Sequence, residues 1–135
     1  MKKNDCKEKG NMRISNVGLM VKDLEGARKF FEDYFGATVH AEYNEDNGYR
    51  SYIMKFDENP KIELMSKPEV IDVVKDRNDA GYIHICIKVD SKEKFEEILN
   101  KTKADGYEIL YEPDTVGGQE FRAIMFEENI MEVCY

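Results

Sequence analysis

No stretch of this 135-residue chain is apolar for long enough to span a bilayer, and the opening MKKNDCKEKGN carries positive charge without the apolar core of a secretory leader. A soluble, cytoplasmic protein is expected. Basic surface is scarce as well: 20 Lys and Arg are interspersed among 28 Asp and Glu, for a formal net charge of −8. Such a surface offers nothing broad to a phosphate backbone, so nucleic acid is not an expected partner. Cysteine is sparse, with Cys6, Cys86 and Cys134 in no framework spacing. An odd number of scattered cysteines fits reduced thiols better than a disulfide scaffold. Histidine is scarcer still, with only His40 and His84.

What the chain does contain is a repeat. The stretch GYIHICIKVD, Gly81 to Asp90, alternates as an extended strand does, with Ile83, Ile85, Ile87 and Val89 on one side and Tyr82, His84, Cys86 and Lys88 on the other. A similar stretch, ISNVGLMVKD, begins at Ile14, and an offset of about 68 residues brings Asn16 opposite His84 and Val21 opposite Val89. Each strand runs into an amphipathic helix. Farther along, IELM with Glu63 matches MEVC with Glu132 at nearly the same offset. Two copies of one unit follow from this period, and four polar residues fall at equivalent places: Asn16 and Glu63 in the first copy, His84 and Glu132 in the second.

In chain order, residues 1–11 are polar and patternless and are expected as a disordered tail. The first repeat covers 12–66. It opens with a strand over 13–21, in which Gly18 leaves room beside Asn16. A helix capped by Asp23 follows, with Leu24, Ala27, Phe30, Phe31 and Tyr34 on its core face and Gly36 at its end. Thr38 to Tyr43 and Tyr49 to Phe56 read as a hairpin turning at Asn47-Gly48, and Lys61 to Met65 as a short strand. Residues 67–80 read as a plain connection, or as a short helix or lid. The second repeat, 81–135, gives the Gly81 strand and then a helix opened by an Asp90–Glu93 capping box, with Phe95, Ile98, Leu99 and Thr102 inward. After Gly106 come a strand over Tyr107–Tyr111, a loop over Pro113–Gly118, and strands over Gln119–Phe126 and Ile130–Tyr135. The expected architecture is α+β: two βαβββ units whose mixed sheets curl around a shared cavity.

From residue 12 onward this pattern resembles the vicinal oxygen chelate superfamily of glyoxalase I, bleomycin resistance proteins, extradiol dioxygenases and related epimerases. The likeness rests on MRISNVGLMVKDLEGARKFFEDYFG, the IEL strand, HICIKVD and the terminal MEV. The spacing of the four positions is most similar to bacterial glyoxalase I, whose metal ligands come from those four strands. The resemblance implies that Glu63, His84 and Glu132 are metal ligands, that Asn16 stands where that family usually has His, and that the protein is a homodimer with sites completed across its interface. The connection at Phe126-Glu127-Glu128-Asn129 is shorter than the family's. Contacts for glutathione are not recognisable, so no thiol cofactor is assigned.

Two carboxylates, one imidazole and one amide form a set for Mn²⁺, Fe²⁺, Ni²⁺, Co²⁺, Zn²⁺ or Mg²⁺, and the amide in place of a second imidazole favours the harder ions. The resemblance then implies glyoxalase-type chemistry through an enediolate, with Glu132 as the proton-moving base and Glu63 as its pseudo-symmetric alternate. Asn16 cannot accept a proton; it either coordinates through its carbonyl oxygen or hydrogen-bonds a bound water. Tyr52, Arg50 and Arg122 are candidates for holding an anionic small-molecule substrate. A dioxygenase site, which needs two histidines and a carboxylate, is disfavoured because only His84 is in place. The competing expectation is a metal-free protein that binds or sequesters a small molecule, an antibiotic or a metabolite, in the same cavity. Cys86 and Cys134 read as small packed residues, and His40 as surface.

Overall fold

The computed structural model describes residues 12–71, 80–82, 84–116 and 119–135, with backbone alone for residues 111–116 and 119. The expected tail, Cys6, Ile83 and most of the 67–80 connection lie outside the described residues. The chain divides into two compact units, Met1–Val70 and Ile71–Tyr135.

In the first unit β1 (Asn16–Met20) leads into α1 (Leu24–Phe35), β2 (Thr38–Asn44), β3 (Arg50–Lys55) and β4 (Lys61–Ser66). The sheet order is β1-β4-β3-β2, with β1 and β4 parallel and the other pairs antiparallel. Alternation decides which side of the sheet is covered: Ile62, Leu64, Tyr52 and Met54 are buried, and α1 packs across β3, β4 and β2. Helix α1 forms where its caps allow it. Asp23 accepts a hydrogen bond from the Gly26 amide at 2.9 Å, and the absence of a side chain at Gly26 lets the carboxylate approach. At the other end Gly36 takes φ 68°, a left-handed conformation that a Cβ would penalise. Leu24, Ala27, Phe30 and Phe31 are buried along one stripe, and the Phe30 and Phe31 rings meet edge to face at 5.2 Å. Burial of Leu24, Phe30 and Phe31 contributes roughly 1.5–3 kcal/mol each. The space left by Gly18 serves Met65, whose Cε would lie 2.8 Å from an added Cβ.

The second unit repeats the order with β5 (His84–Lys88), α2 (Lys92–Ala104), β6 (Ile109–Val116), β7 (Gln119–Phe126) and β8 (Asn129–Cys134). Its sheet runs β5-β8-β7-β6, again with only the first pair parallel. Ile124, Met131 and Val133 are fully buried, as are Phe95 and Thr102 of α2. Thr102 escapes a polar penalty by donating back to the Ile98 carbonyl at 2.8 Å.

Two sequence expectations need correction. The N-cap of α2 is Ser91, whose hydroxyl accepts from the Lys94 amide at 3.1 Å, one residue beyond Asp90. Strand β6 also continues through Pro113 to Val116, where a loop was expected. Pro113 is tolerated because β6 is an edge strand and its pairing with β7 is irregular between Leu110 and Asp114.

Candidate functional site

The parallel pairing of β1 with β4 sets Gly18 beside Glu63 and Asn16 beside Lys61, so Asn16 and Glu63 occupy the same face, the one away from α1. From β3, Ile53 lies opposite Glu63. Residues 49, 51 and 53 therefore share Glu63's face, and the Tyr49 hydroxyl donates to Glu63 Oε2 at 3.2 Å. Burial pushes the Tyr49 phenol above its usual range, and the nearby Glu63 carboxylate adds to the effect. Ser51, fully buried on this face, turns its hydroxyl toward Tyr49 without closing a well-formed hydrogen bond. The Asn16 amide nitrogen donates to Ser15 Oγ at 3.3 Å and remains exposed.

The second unit builds its face in the same way. Cys86 pairs with Glu132 and His84 with Ile130 across β5 and β8. His84 leans along the strand until Nδ1 comes 3.4 Å from Glu132 Oε2, with 12% of the Glu132 side chain exposed and 37% of His84. Opposite Glu132 on β7 stands the small, buried Ala123. Next in the row, the Cys86 thiol donates to Cys134 Sγ at 3.6 Å. Partial desolvation, then the Cys134 contact and the charge of Glu132, push the Cys86 thiol up to about 12.

Arg50, Tyr52 and Arg122 fall elsewhere. Tyr52 faces α1, where its hydroxyl donates to Glu25 Oε2 at 2.6 Å, and Arg50 donates to the same oxygen at 2.9 Å. Arg122 lies over the Phe95 ring of α2 at 5.8 Å and bonds Glu120 at 2.9 Å. All three belong to the helix-covered faces, opposite to those of Glu63 and Glu132. A cavity of about 490 Å³ in the first unit also opens beside the start of α1, lined by Lys22, Glu25, Arg50, Ser66 and Lys67. Tyr49 was not among the residues that sequence reasoning singled out. Its signal was its parity with Ile53, legible only once β3 is registered against β4.

For a divalent cation the donor chemistry fits in pairs. Within the second unit an imidazole nitrogen and a carboxylate oxygen converge to 3.4 Å, and within the first a carboxylate sits on the same face as an amide. Among the described residues no three His, Cys, Asp or Glu side chains gather as a preformed ion cage.

The profile of the Glyoxalase/Bleomycin resistance protein/Dioxygenase superfamily matches residues 15–126. The chain belongs to this superfamily. Its fold is shared by solved members at low identity. A glyoxalase family protein from Bacillus cereus superposes with a TM-score of 0.77 at 19% identity, covering 91% of this chain and 93% of that one. A glyoxalase I variant from Zea mays gives 0.72 at 23%, over 89% of this chain and 44% of the maize one, so this chain spans less than half of that protein. A variant of the fosfomycin resistance protein FosX from Listeria monocytogenes, solved with Mn(II) and 1S,2S-dihydroxypropylphosphonic acid, gives 0.68 at 22%, covering 90% of each chain. No curated protein sequence matches significantly. The repeated βαβββ order is thus the superfamily's, and among the described residues no helix is long and apolar enough to cross a membrane.

Proposed function

We propose that this superfamily member is a metal-dependent lyase or isomerase of the glyoxalase I type, acting on a small carbonyl substrate such as a 2-oxoaldehyde adduct. The observation that carries the reading is the approach of His84 Nδ1 to Glu132 Oε2 on the open face of the second sheet. Glu63, His84 and Glu132 would hold the cation, with Asn16 as a weak fourth donor through its carbonyl oxygen. A bound divalent cation would supply Lewis acidity toward a substrate carbonyl oxygen.

The side chains supply the rest. Glu132, mostly shielded from solvent, takes a proton from the carbon beside the carbonyl and returns it to the neighbouring carbon. His84 limits the rotation of that carboxylate. Glu63 is the alternate base, and the Tyr49 hydroxyl fixes one of its oxygens. Protein of this type is proposed to work in the cytoplasm as a homodimer, in keeping with the free thiols of Cys86 and Cys134.

A second reading has its own observation. Asn16 in the fourth position suits a protein that has given up metal and retains a small molecule. Elemental analysis of untagged protein separates the two, as isolated and after dialysis against Mn²⁺, Fe²⁺, Ni²⁺, Co²⁺ and Zn²⁺, with Glu132→Ala alongside. Near-stoichiometric metal, lost in the variant, supports the enzyme, and Glu132→Gln is then expected to lower turnover by about 10²–10⁴-fold with the fold intact. Absence of metal under every condition sinks it and leaves the binding protein.

A further inference from the structure

Cys86 and Cys134 stand two register steps apart on the adjacent strands β5 and β8, on the face that also carries His84 and Glu132. Their sulfurs are 3.6 Å apart. Two packed thiols would give such a contact by chance, but two features of the pair set it apart. It lies on the side of the sheet away from α2, and one of its members, Cys86, is exposed.

A disulfide is the first chemistry to weigh, and the register argues against it. Strands about 4.8 Å apart with a rise of about 3.3 Å per residue put residues two register steps apart at a Cα separation of roughly 8 Å, past the limit of about 7 Å that a disulfide spans without backbone movement. Both strands are pinned, β8 by β5 on one side and β7 on the other. The sulfurs meet because the side chains lean together, and closing them to a covalent bond would pull the sheet out of register.

A shared cation asks for a different spacing. Two thiolates on one tetrahedral Zn²⁺, each at about 2.3 Å, lie about 3.8 Å from each other. The observed separation is within 0.2 Å of that, so an ion could enter with no more than small rotations of the two side chains. We propose that Cys86 and Cys134 form a two-sulfur site for a thiophilic d10 cation, Zn²⁺ or Cd²⁺, with the remaining positions open to water. Binding is a proton exchange: two thiols and one M²⁺ give one M(SR)₂ unit and two protons, with no change of oxidation state. Sulfur donors select soft ions, whereas the carboxylate and imidazole set proposed above suits harder ones. The paired sulfurs lie beside that set on the same face, and the two are told apart by donor type.

The test is titration of fully reduced, metal-free protein with Cd²⁺ alone, following the thiolate-to-cadmium charge-transfer absorption together with proton release in weak buffer. Saturation of the band at one Cd²⁺ per chain, with about two protons released as the band grows, is the expected result. Cys86→Ser should at least halve the absorption, with circular dichroism unchanged, because that residue is exposed. Cys134→Ala, which adds no polar group at the buried position, should do the same. Cys6→Ser should leave the band intact, and because the band reports sulfur bound to Cd²⁺, failure of the carboxylate and imidazole reading would not remove it. An absent band at saturating Cd²⁺, or a band undiminished in Cys86→Ser, overturns the proposal.

Discussion

The Tyr49 hydroxyl donates to Glu63 Oε2 across 3.2 Å of the open face of the first sheet. Burial raises the phenol's pKa, so Tyr49 stays a proton donor throughout the neutral range and holds the carboxylate in one orientation. In the proposed site Tyr49 is a positioning residue that acts through Glu63. Tyr49→Phe keeps the ring and deletes the donor. We expect an unchanged fold and a Mn²⁺ affinity roughly 10-fold weaker, as is usual when a ligand loses its outer partner. Calorimetric titration of the two proteins checks this, and equal affinities would remove Tyr49 from the site.

On the covered side of the same sheet, the Tyr52 phenol and the Arg50 guanidinium share one oxygen of Glu25, tying α1 to β3. The Tyr52 bond is the main cause that holds the Glu25 carboxyl below its ordinary 4.5, and the same bond, helped by burial, lifts Tyr52 above its ordinary 10.0. A lowered acid stabilises the fold above its unfolded value and loses that stability as pH falls through the folded one. A raised phenol stabilises the fold below its unfolded value and loses that as pH rises through the folded one. Tyr52→Phe should therefore cost about 1 kcal/mol at neutral pH, a figure reduced for the exposure of Glu25. The difference from wild type should shrink below pH 4.5 and again above pH 10. Urea unfolding at a series of pH values measures it; a gap that does not change with pH would mean that Tyr52 acts through packing alone.

The repeat made the two units legible, because Asp23, Gly36 and the apolar stripe of α1 are local signals that packing did not override. The same alternation that put Glu63 and Glu132 on open faces could be read from their own strands. Tyr52 could not be placed that way. An amphipathic ring suits either side of a sheet, and its side follows from the pairing of Ile53 with Glu63, which is a tertiary fact. Pro113 misled for a related reason: a proline reads as a loop until its strand is known to be an edge. Ser91 displaced Asp90 as cap because either side chain can accept an amide, and the choice rests on which residue leaves helical geometry first.

Glu127 and Glu128 join β7 to β8 in a two-residue turn closed by the pairing of Phe126 with Asn129, and both have positive φ, 48° and 64°. Two left-handed residues in succession make the hairpin turn that matches strand twist, and Asn-Gly suits it far better than Glu-Glu. Replacing the pair by Glu127→Asn and Glu128→Gly should stabilise the protein by about 1–2 kcal/mol, through relief of backbone strain and of like charge. The midpoint of urea unfolding should rise. A fall would mean that side-chain contacts of the glutamates outweigh the strain.

Asn16 is the fourth and weakest donor of the proposed site, and its environment shows what a change there would meet. The side chain is exposed, stands on the same face as Glu63, and makes one long bond of 3.3 Å to Ser15 Oγ, so little of the fold depends on it. Asn16→His substitutes an imidazole nitrogen for an amide oxygen without adding charge. Imidazole suits Ni²⁺ and Zn²⁺ better than an amide does, while Mn²⁺ is comparatively indifferent. If Asn16 is a donor in the proposed site, the variant should bind Ni²⁺ about tenfold more tightly, roughly 1.4 kcal/mol, with a smaller change for Mn²⁺. Carried out on the Cys86→Ser background, the titration keeps Ni²⁺ away from the paired sulfurs. A Ni²⁺ affinity equal to that of the Asn16 parent would place residue 16 outside the metal's reach and leave Glu63, His84 and Glu132 to bind without it.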